Sequence, residues 1–166
     1  MHFAPDPRGG AGITIGLNAG SHPYDALTPD AVLDAVGSVG FAADGRLLAL
    51  NSFENRVYQL GLDDGSFVVA KFYRPGRWRA AAIQEEHDFT AELLAAELPV
   101  VAPLAVDGAT LFLHRGFHFA VFPRRGGRAP ALGGAATLAW LGRTLARVHA
   151  VGALRPFAHR ARIDVD

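Results

Sequence analysis

Phe67-Val68-Val69-Ala70-Lys71-Phe72-Tyr73 is the stretch that decides the fold of this 166-residue chain. It follows the turn sequence Asp63-Asp64-Gly65-Ser66 and stops at Pro75-Gly76. Asp-Gly tolerates the positive φ of a tight hairpin, so the run reads as a strand returning from a turn. Side chains alternate across a strand. Val68, Ala70 and Phe72 therefore share one face, and Phe67, Val69, Lys71 and Tyr73 share the other. Both faces are apolar except at Lys71, which marks a strand covered on both sides. Lys71 is the only lysine; the other fifteen of the sixteen basic residues are arginines. An ammonium in such a strand is costly unless it is paired, so a carboxylate is expected close by.

Upstream, Arg46–Leu50 after an Asp44-Gly45 turn and Arg56–Leu62 read as two further strands. Before them a helix begins at Thr28, a good N-cap, with Pro29 in the first helical position. Its apolar stripe is Val32, Leu33, Val36 and Val39, and Gly40 is a plausible stop. Downstream, a helix spans about 79–97. Two strands are expected at 101–106 and 110–113 around an Asp107-Gly108 turn, and another at 117–122, closed by Pro123. A polar connector over 124–130 leads to a helix at 137–151 with Leu138, Leu141, Leu145 and Val148 on one face. Short hairpin links with one inserted helix predict an α+β layer built on an antiparallel sheet, not a doubly wound parallel sheet. Residues 1–26 hold five of the nineteen glycines and no periodicity, and read as a flexible leader.

Composition narrows the function. Half of the residues are apolar and 19% are charged, enough for a real core. Sixteen basic residues balance sixteen acidic ones, which argues against a nucleic-acid partner. There is no cysteine, so thiolate chemistry is excluded and a reducing cytoplasm fits. No membrane span or secretion signal is expected. Gly9-Gly10-Ala11-Gly12 lacks the Gly-Lys-Ser/Thr of a phosphate loop. Arg124, Arg125 and Arg128 read first as a solvated linker. His114 and His118 lack the neighbours of a zinc site, and His149 reads as a packed helix histidine.

The helix after Lys71 offers Glu85, Glu86, Glu92 and Glu97. With Ile83, Leu93 and Leu94 defining its buried side and Phe89 on the edge, Glu86 falls within the stripe while Glu85 and Glu92 fall outside it. Glu97 points inward at a frayed end. Glu86 is thus the expected partner of Lys71. A strand lysine fixed by a glutamate on the following helix is the device with which kinases hold ATP phosphates. Val69, on the same strand face, would then pack against adenine. The turn 50–58 would cover the phosphates through backbone amides and the Ser52 hydroxyl, although it lacks the usual glycines.

Longer motifs follow in a fixed order. They are Leu-Asn-Ser-Phe-Glu-Asn-Arg-Val-Tyr-Gln (50–59), Val-Ala-Lys-Phe-Tyr-Arg-Pro-Gly-Arg-Trp (69–78), Glu-Glu-His-Asp-Phe (85–89), Pro-Val-Val-Ala-Pro (99–103) and Gly-Phe-His-Phe-Ala-Val-Phe-Pro (116–123). Leu-Gly-Arg-Thr-Leu-Ala-Arg-Val-His-Ala (141–150) and Pro-Phe-Ala-His-Arg (156–160) come after them. From about Leu27 onward the chain resembles the stress response kinase A (RdoA/YihE type) family of bacterial serine/threonine protein kinases. These belong to the aminoglycoside phosphotransferase and choline kinase group.

The resemblance implies a protein-kinase-like N-lobe over 27–123, with the helix after Lys71 as its αC-type helix. It implies a hinge and the start of a C-lobe over 124–166. It further implies ATP- and magnesium-dependent phosphorylation of protein substrates and of the kinase itself, in the cytoplasm, as part of a stress response. Ser52 and Lys71 fall on the family's ATP-site serine and lysine, and Phe122-Pro123-Arg124 on the adenine-reading hinge. The family's His-Gly-Asp catalytic loop and its metal-binding aspartate have no counterpart, since only Asp164 and Asp166 follow Asp107. The expectation is therefore an inactive N-terminal fragment with half an ATP site, whose last helix exposes an apolar face that favours self-association. The alternatives are a non-catalytic nucleotide- or partner-binding module and a fragment of a small-molecule phosphotransferase.

Overall fold

The structure, a computed structural model, describes residues 22–161. Helix α1 is Pro29–Ser38; the Thr28 hydroxyl accepts a hydrogen bond from the Ala31 N–H at 3.2 Å, and Gly40 follows at φ +92°. Strands β1 (Ala43–Leu50), β2 (Arg56–Leu62) and β3 (Phe67–Phe72) come next. Helix α2 is Ala80–Ala95, strands β4 and β5 are Phe112–His114 and Phe117–Pro123, and helix α3 is Ala135–Gly152. The five strands form one antiparallel sheet in the order β1-β2-β3-β5-β4. This is the expected α+β layer with a single helix inserted between β3 and the last two strands.

The sheet separates two apolar layers. On one face Val68, Ala70 and Phe72 of β3 meet Leu60, Phe119 and Val121, and α1 closes over them with Val32, Ala35 and Val36. Phe72 and Phe119 are fully buried, with ring centroids 5.3 Å apart. On the other face Tyr73 and Ala120 pack against Ile83 of α2. The lysine strand is thus central in the sheet and covered on both sides, as its composition required.

Four sequence expectations change in the fold. The strand expected at 101–106 does not form; Pro103 within it and Pro99 just before it bring no N–H donors, and its link to the sheet is a hydrogen bond from the Leu104 N–H to the Val121 carbonyl at 2.7 Å. The Asp107-Gly108 turn is present, with φ +51° and +79°, but it closes only an isolated bridge between Val106 and Ala109, and the strand expected at 110–113 is instead Phe112–His114. Asp44-Gly45 lies inside β1 rather than before it, at a register irregularity between Ala43 and Leu47 where Gly45 takes φ +91°. The last residues of the expected leader are packed on the fold. Tyr24 is 8% exposed, stacks on Phe117, and donates its hydroxyl to the Glu54 carbonyl at 2.9 Å. Residues 1–21 of the expected leader and the Asp164-Val165-Asp166 end lie outside the described residues.

Candidate functional site

Register builds the site. β3 pairs with β2 and β5 so that Val69 stands opposite Gln59 and Phe122, and Lys71 opposite Val57 and Ala120. Residues paired across neighbouring strands share a face. Val57, Val69, Lys71 and Phe122 therefore face the same side, and they line a cleft of about 420 Å³ together with Glu86, His87 and Thr90 of α2 and with Val101, Pro103, Pro123 and Arg125. Its walls are mainly apolar. Its polar end is formed by Lys71 and Glu86.

The Lys71 ammonium donates to Glu86 Oε1 at 2.9 Å. The two side chains are 24% and 32% exposed, so the pair is partly buried. Lys71 Nζ also lies 4.5 Å from the centroid of the Tyr73 ring. Glu86 Oε2 accepts from Arg160 at 2.9 Å, and one carboxylate thereby serves two cations. Burial tends to raise the Glu86 carboxyl, but the Lys71 hydrogen bond and the charges of Lys71 and Arg160 outweigh it and hold the group below the ordinary carboxylate value.

Sequence spacing left the choice between Glu85 and Glu86 to helix phase, and the structure puts Glu86 on Lys71. Glu85 is not outside the buried side, however. It is 8% exposed, and its oxygens accept from the backbone N–H groups of Ala158, His159 and Arg160 at 2.6, 2.9 and 2.9 Å. Desolvation works to raise its carboxyl; the three N–H groups prevail and lower it. Leu94, expected inside, is 52% exposed, and Glu97 is exposed at φ +57°, just beyond the helix. Leu98, 2% exposed, takes the inward place instead.

The other expected site residues separate into two groups. Val69 and Phe122 line the cleft. Arg124 does not; its guanidinium donates to Gln59 at 2.8 Å and lies over Phe67, while Arg125 reaches the cleft instead. Ser52 sits in the β1–β2 turn, away from the cleft lining, and its hydroxyl donates to the Asn55 carbonyl at 2.7 Å. The proton of Ser52 is thus spent on holding the turn, and its oxygen keeps acceptor capacity only. At the tip of that turn Phe53 is fully exposed.

His87 escaped the sequence reading. It is 3% exposed, paired with the Tyr73 hydroxyl at 2.8 Å and with the Thr110 hydroxyl at 2.9 Å. Burial pushes its imidazole below the ordinary value and pushes the Tyr73 phenol above its own. It lies four residues after Ile83, on the same helix face, and that spacing was the available signal. His149, expected to be packed, is exposed. Among the described residues no group of three acidic or histidine side chains is arranged to hold a metal ion, and no helix is long and apolar enough to cross a membrane.

Comparison with known proteins places this geometry. The model of a family described as "Phosphotransferase enzyme family" matches residues 46–166. Stress response kinase A of Escherichia coli (strain K12) is 43% identical over 150 residues, covering 90% of this chain and 46% of that protein. The serine/threonine protein kinase RdoA of Salmonella typhimurium is 43% identical over 149 residues, covering 90% of this chain and 45% of that one. The chain thus spans about half the length of the curated relatives it matches. Among solved structures, amicoumacin kinase hAmiN, in complex with AMP-PNP, Ca2+ and Ami, superposes with a TM-score of 0.67 at 19% identity, over 77% of this chain and 41% of that one. At that identity the likeness concerns the fold, which is that of a kinase-like N-lobe with the start of a second lobe.

Proposed function

The chain belongs to the phosphotransferase enzyme family, and from that premise we propose that it is the nucleotide-anchoring part of an ATP-dependent serine/threonine protein kinase of the stress response kinase A kind. The observation that carries this is the Lys71–Glu86 pair at the polar end of an apolar cleft. ATP supplies the transferable phosphoryl group. The residues present suit it: mainly apolar walls for a base, and one ammonium for phosphate oxygens.

In this reading Val57, Val69 and Phe122 hold the adenine ring between strands, and the backbone at Phe122-Pro123 reads its edge. Lys71 donates to phosphate oxygens with the N–H groups that Glu86 leaves free. Glu86 keeps the ammonium aimed across the cleft. Ser52 supports the phosphate side indirectly, by tying the β1–β2 turn to Asn55. The family's metal-binding aspartate has no counterpart in the sequence, and no metal-dependent step is assigned to these residues. With no His-Gly-Asp core in the sequence, these 166 residues by themselves are proposed to bind nucleotide without transferring phosphate. Protein Ser/Thr substrates, a stress-response role and a cytoplasmic setting are proposed from the likeness to the curated relatives.

Calorimetric titration with ATP, with and without magnesium, tests the reading on the wild-type chain and on Lys71→Ala. Binding that is lost in Lys71→Ala supports it. Equal binding by both folded proteins would remove Lys71 from the phosphate site. Binding without turnover on added protein substrates is expected of this chain and would equally describe a non-catalytic nucleotide-binding module. Transfer activity in the chain alone would overturn the assignment of the catalytic step to residues outside it.

A further inference from the structure

The helix that carries Glu86 is held by more than the sheet. The segment after α3 runs back along α2 and fastens to it at four places. Arg155 pairs with Glu92. The Phe157 ring meets Phe89 edge-on, with centroids 5.1 Å apart. Glu85 accepts the three successive N–H groups of 158–160. Arg160 pairs with Glu86 while lying 4.8 Å from the Trp78 ring centroid. Adjacent residues on one helix point about 100° apart. Glu85 and Glu86 consequently bind different partners, and the second of these partners is the lysine strand.

Glu85 has a task that a surface carboxylate would not. Three successive backbone donors converge on the two oxygens of a carboxylate that is 8% exposed, and leaving a buried acceptor unmet is costly. Ile83 and His87 dock α2 on the sheet, and the Glu85 contacts add a second hold that ties the path of the segment to the rotation of α2. Arg160, last in the bonded run, then lands beside Glu86 and takes the oxygen that Lys71 does not use. A helix free to turn would carry Glu86 away from Lys71.

We propose that Glu85 and Arg160 are positioning residues for the Lys71–Glu86 pair: the 155–160 segment straps α2 against the sheet so that Glu86 faces the lysine. The importance of this for nucleotide binding rests on the function proposed above, but the positioning itself does not.

The single lysine makes the test direct, because an amine-selective acylating reagent that spares the α-amino group after its prior blocking reports Lys71 alone. Acylation rates, followed by mass spectrometry of the Lys71 peptide, are compared in wild type, Glu85→Gln, Arg160→Gln and Glu86→Gln. Arg115→Ala, which loses only an exposed ion pair with Asp34 outside the strap, is the comparison variant. Circular dichroism and urea unfolding establish that each variant is folded. Gln in place of Glu85 keeps the size but turns one acceptor into a donor facing N–H groups. Lys71 in Glu85→Gln and in Arg160→Gln is expected to react faster than in wild type, on the order of fivefold, the size expected of coupling within one hydrogen-bonded network. Arg115→Ala should stay near the wild-type rate. Unchanged Lys71 reactivity in folded Glu85→Gln and Arg160→Gln, with Glu86→Gln reacting faster, would overturn the positioning role. If Glu85→Gln does not fold, Arg160→Gln decides the matter by itself. ATP affinity, measured on the same proteins, separates the two ideas: raised reactivity with unchanged affinity leaves the strap standing and removes the nucleotide role of Lys71.

Discussion

A double-mutant cycle on Lys71→Met and Glu86→Gln puts a magnitude on the central pair. At 2.9 Å the bare attraction is about 6 kcal/mol at an effective dielectric of about 20. Most of this is offset by the desolvation of two partly covered charges. The net coupling expected from a charge-assisted hydrogen bond is about 1–2 kcal/mol. The single variants should differ in a way set by Arg160. In Lys71→Met, Glu86 retains a cation and the thioether fills the stem's volume, so folding stability should fall by no more than about 1 kcal/mol. In Glu86→Gln, Lys71 and Arg160 both lose their counter-charge, and the loss should be larger, about 2–3 kcal/mol. ATP affinity should run the other way: Lys71→Met should weaken it more than Glu86→Gln, by at least about tenfold, which corresponds to about 1.4 kcal/mol. Urea unfolding and calorimetry read the two quantities on the same samples. Strict additivity of the stability changes, or a Lys71→Met protein that binds ATP as wild type does, would refute the reasoning.

Acid should destabilise the fold in two stages of the same sign. The folded imidazole of His87 titrates below its ordinary 6.5, so its contribution is complete above 6.5 and fades as the pH falls from there. Glu85 and Glu86 titrate below 4.5 in the fold, so their contribution is present above 4.5 and is lost as the pH falls through their lowered values. The urea midpoint should therefore drop on acidification across both ranges, and His87→Gln should flatten the upper one. Phe72→Ala empties a fully buried site between Tyr58 and Phe119 and should cost about 3–5 kcal/mol in urea unfolding. The α3 face that carries Leu138 and Leu145 leaves both about half exposed, at 54% and 57%. The chain should self-associate through it, and sedimentation should show Leu138→Glu/Leu145→Glu to be the more monomeric protein; a wild-type chain that stays monomeric at high concentration would count against that face as an interface.

How much of this was legible in the sequence follows from how far apart the causes lie. β3 announced itself because each part of its signal is local: turn chemistry, alternation, and one charge in an apolar run. The lysine's partner was legible because a helix converts spacing into direction over a single turn, and Ile83 sets the phase for Glu86. That same projection left Glu85 in solvent, since burial of Glu85 is not a property of α2. It is imposed by backbone donors 73 to 75 residues away, and backbone donors have no side-chain identity to read. The strand that failed at 101–106 shows the converse. Its apolar pattern was correct, yet Pro99 and Pro103 deny it a ladder, so the segment is apolar because it walls the cleft with Val101 and Pro103. Arg124 and Arg125 differ in a third way: they are chemically equal and adjacent, and only the end of β5 decides which one turns toward Gln59 and which toward the cleft. Local pattern thus located the pair of charges, whereas the features that hold the pair in place come from segments far apart in the chain. Glu86 sits where its own helix puts it, and that helix sits where the segment at 155–160 ties it.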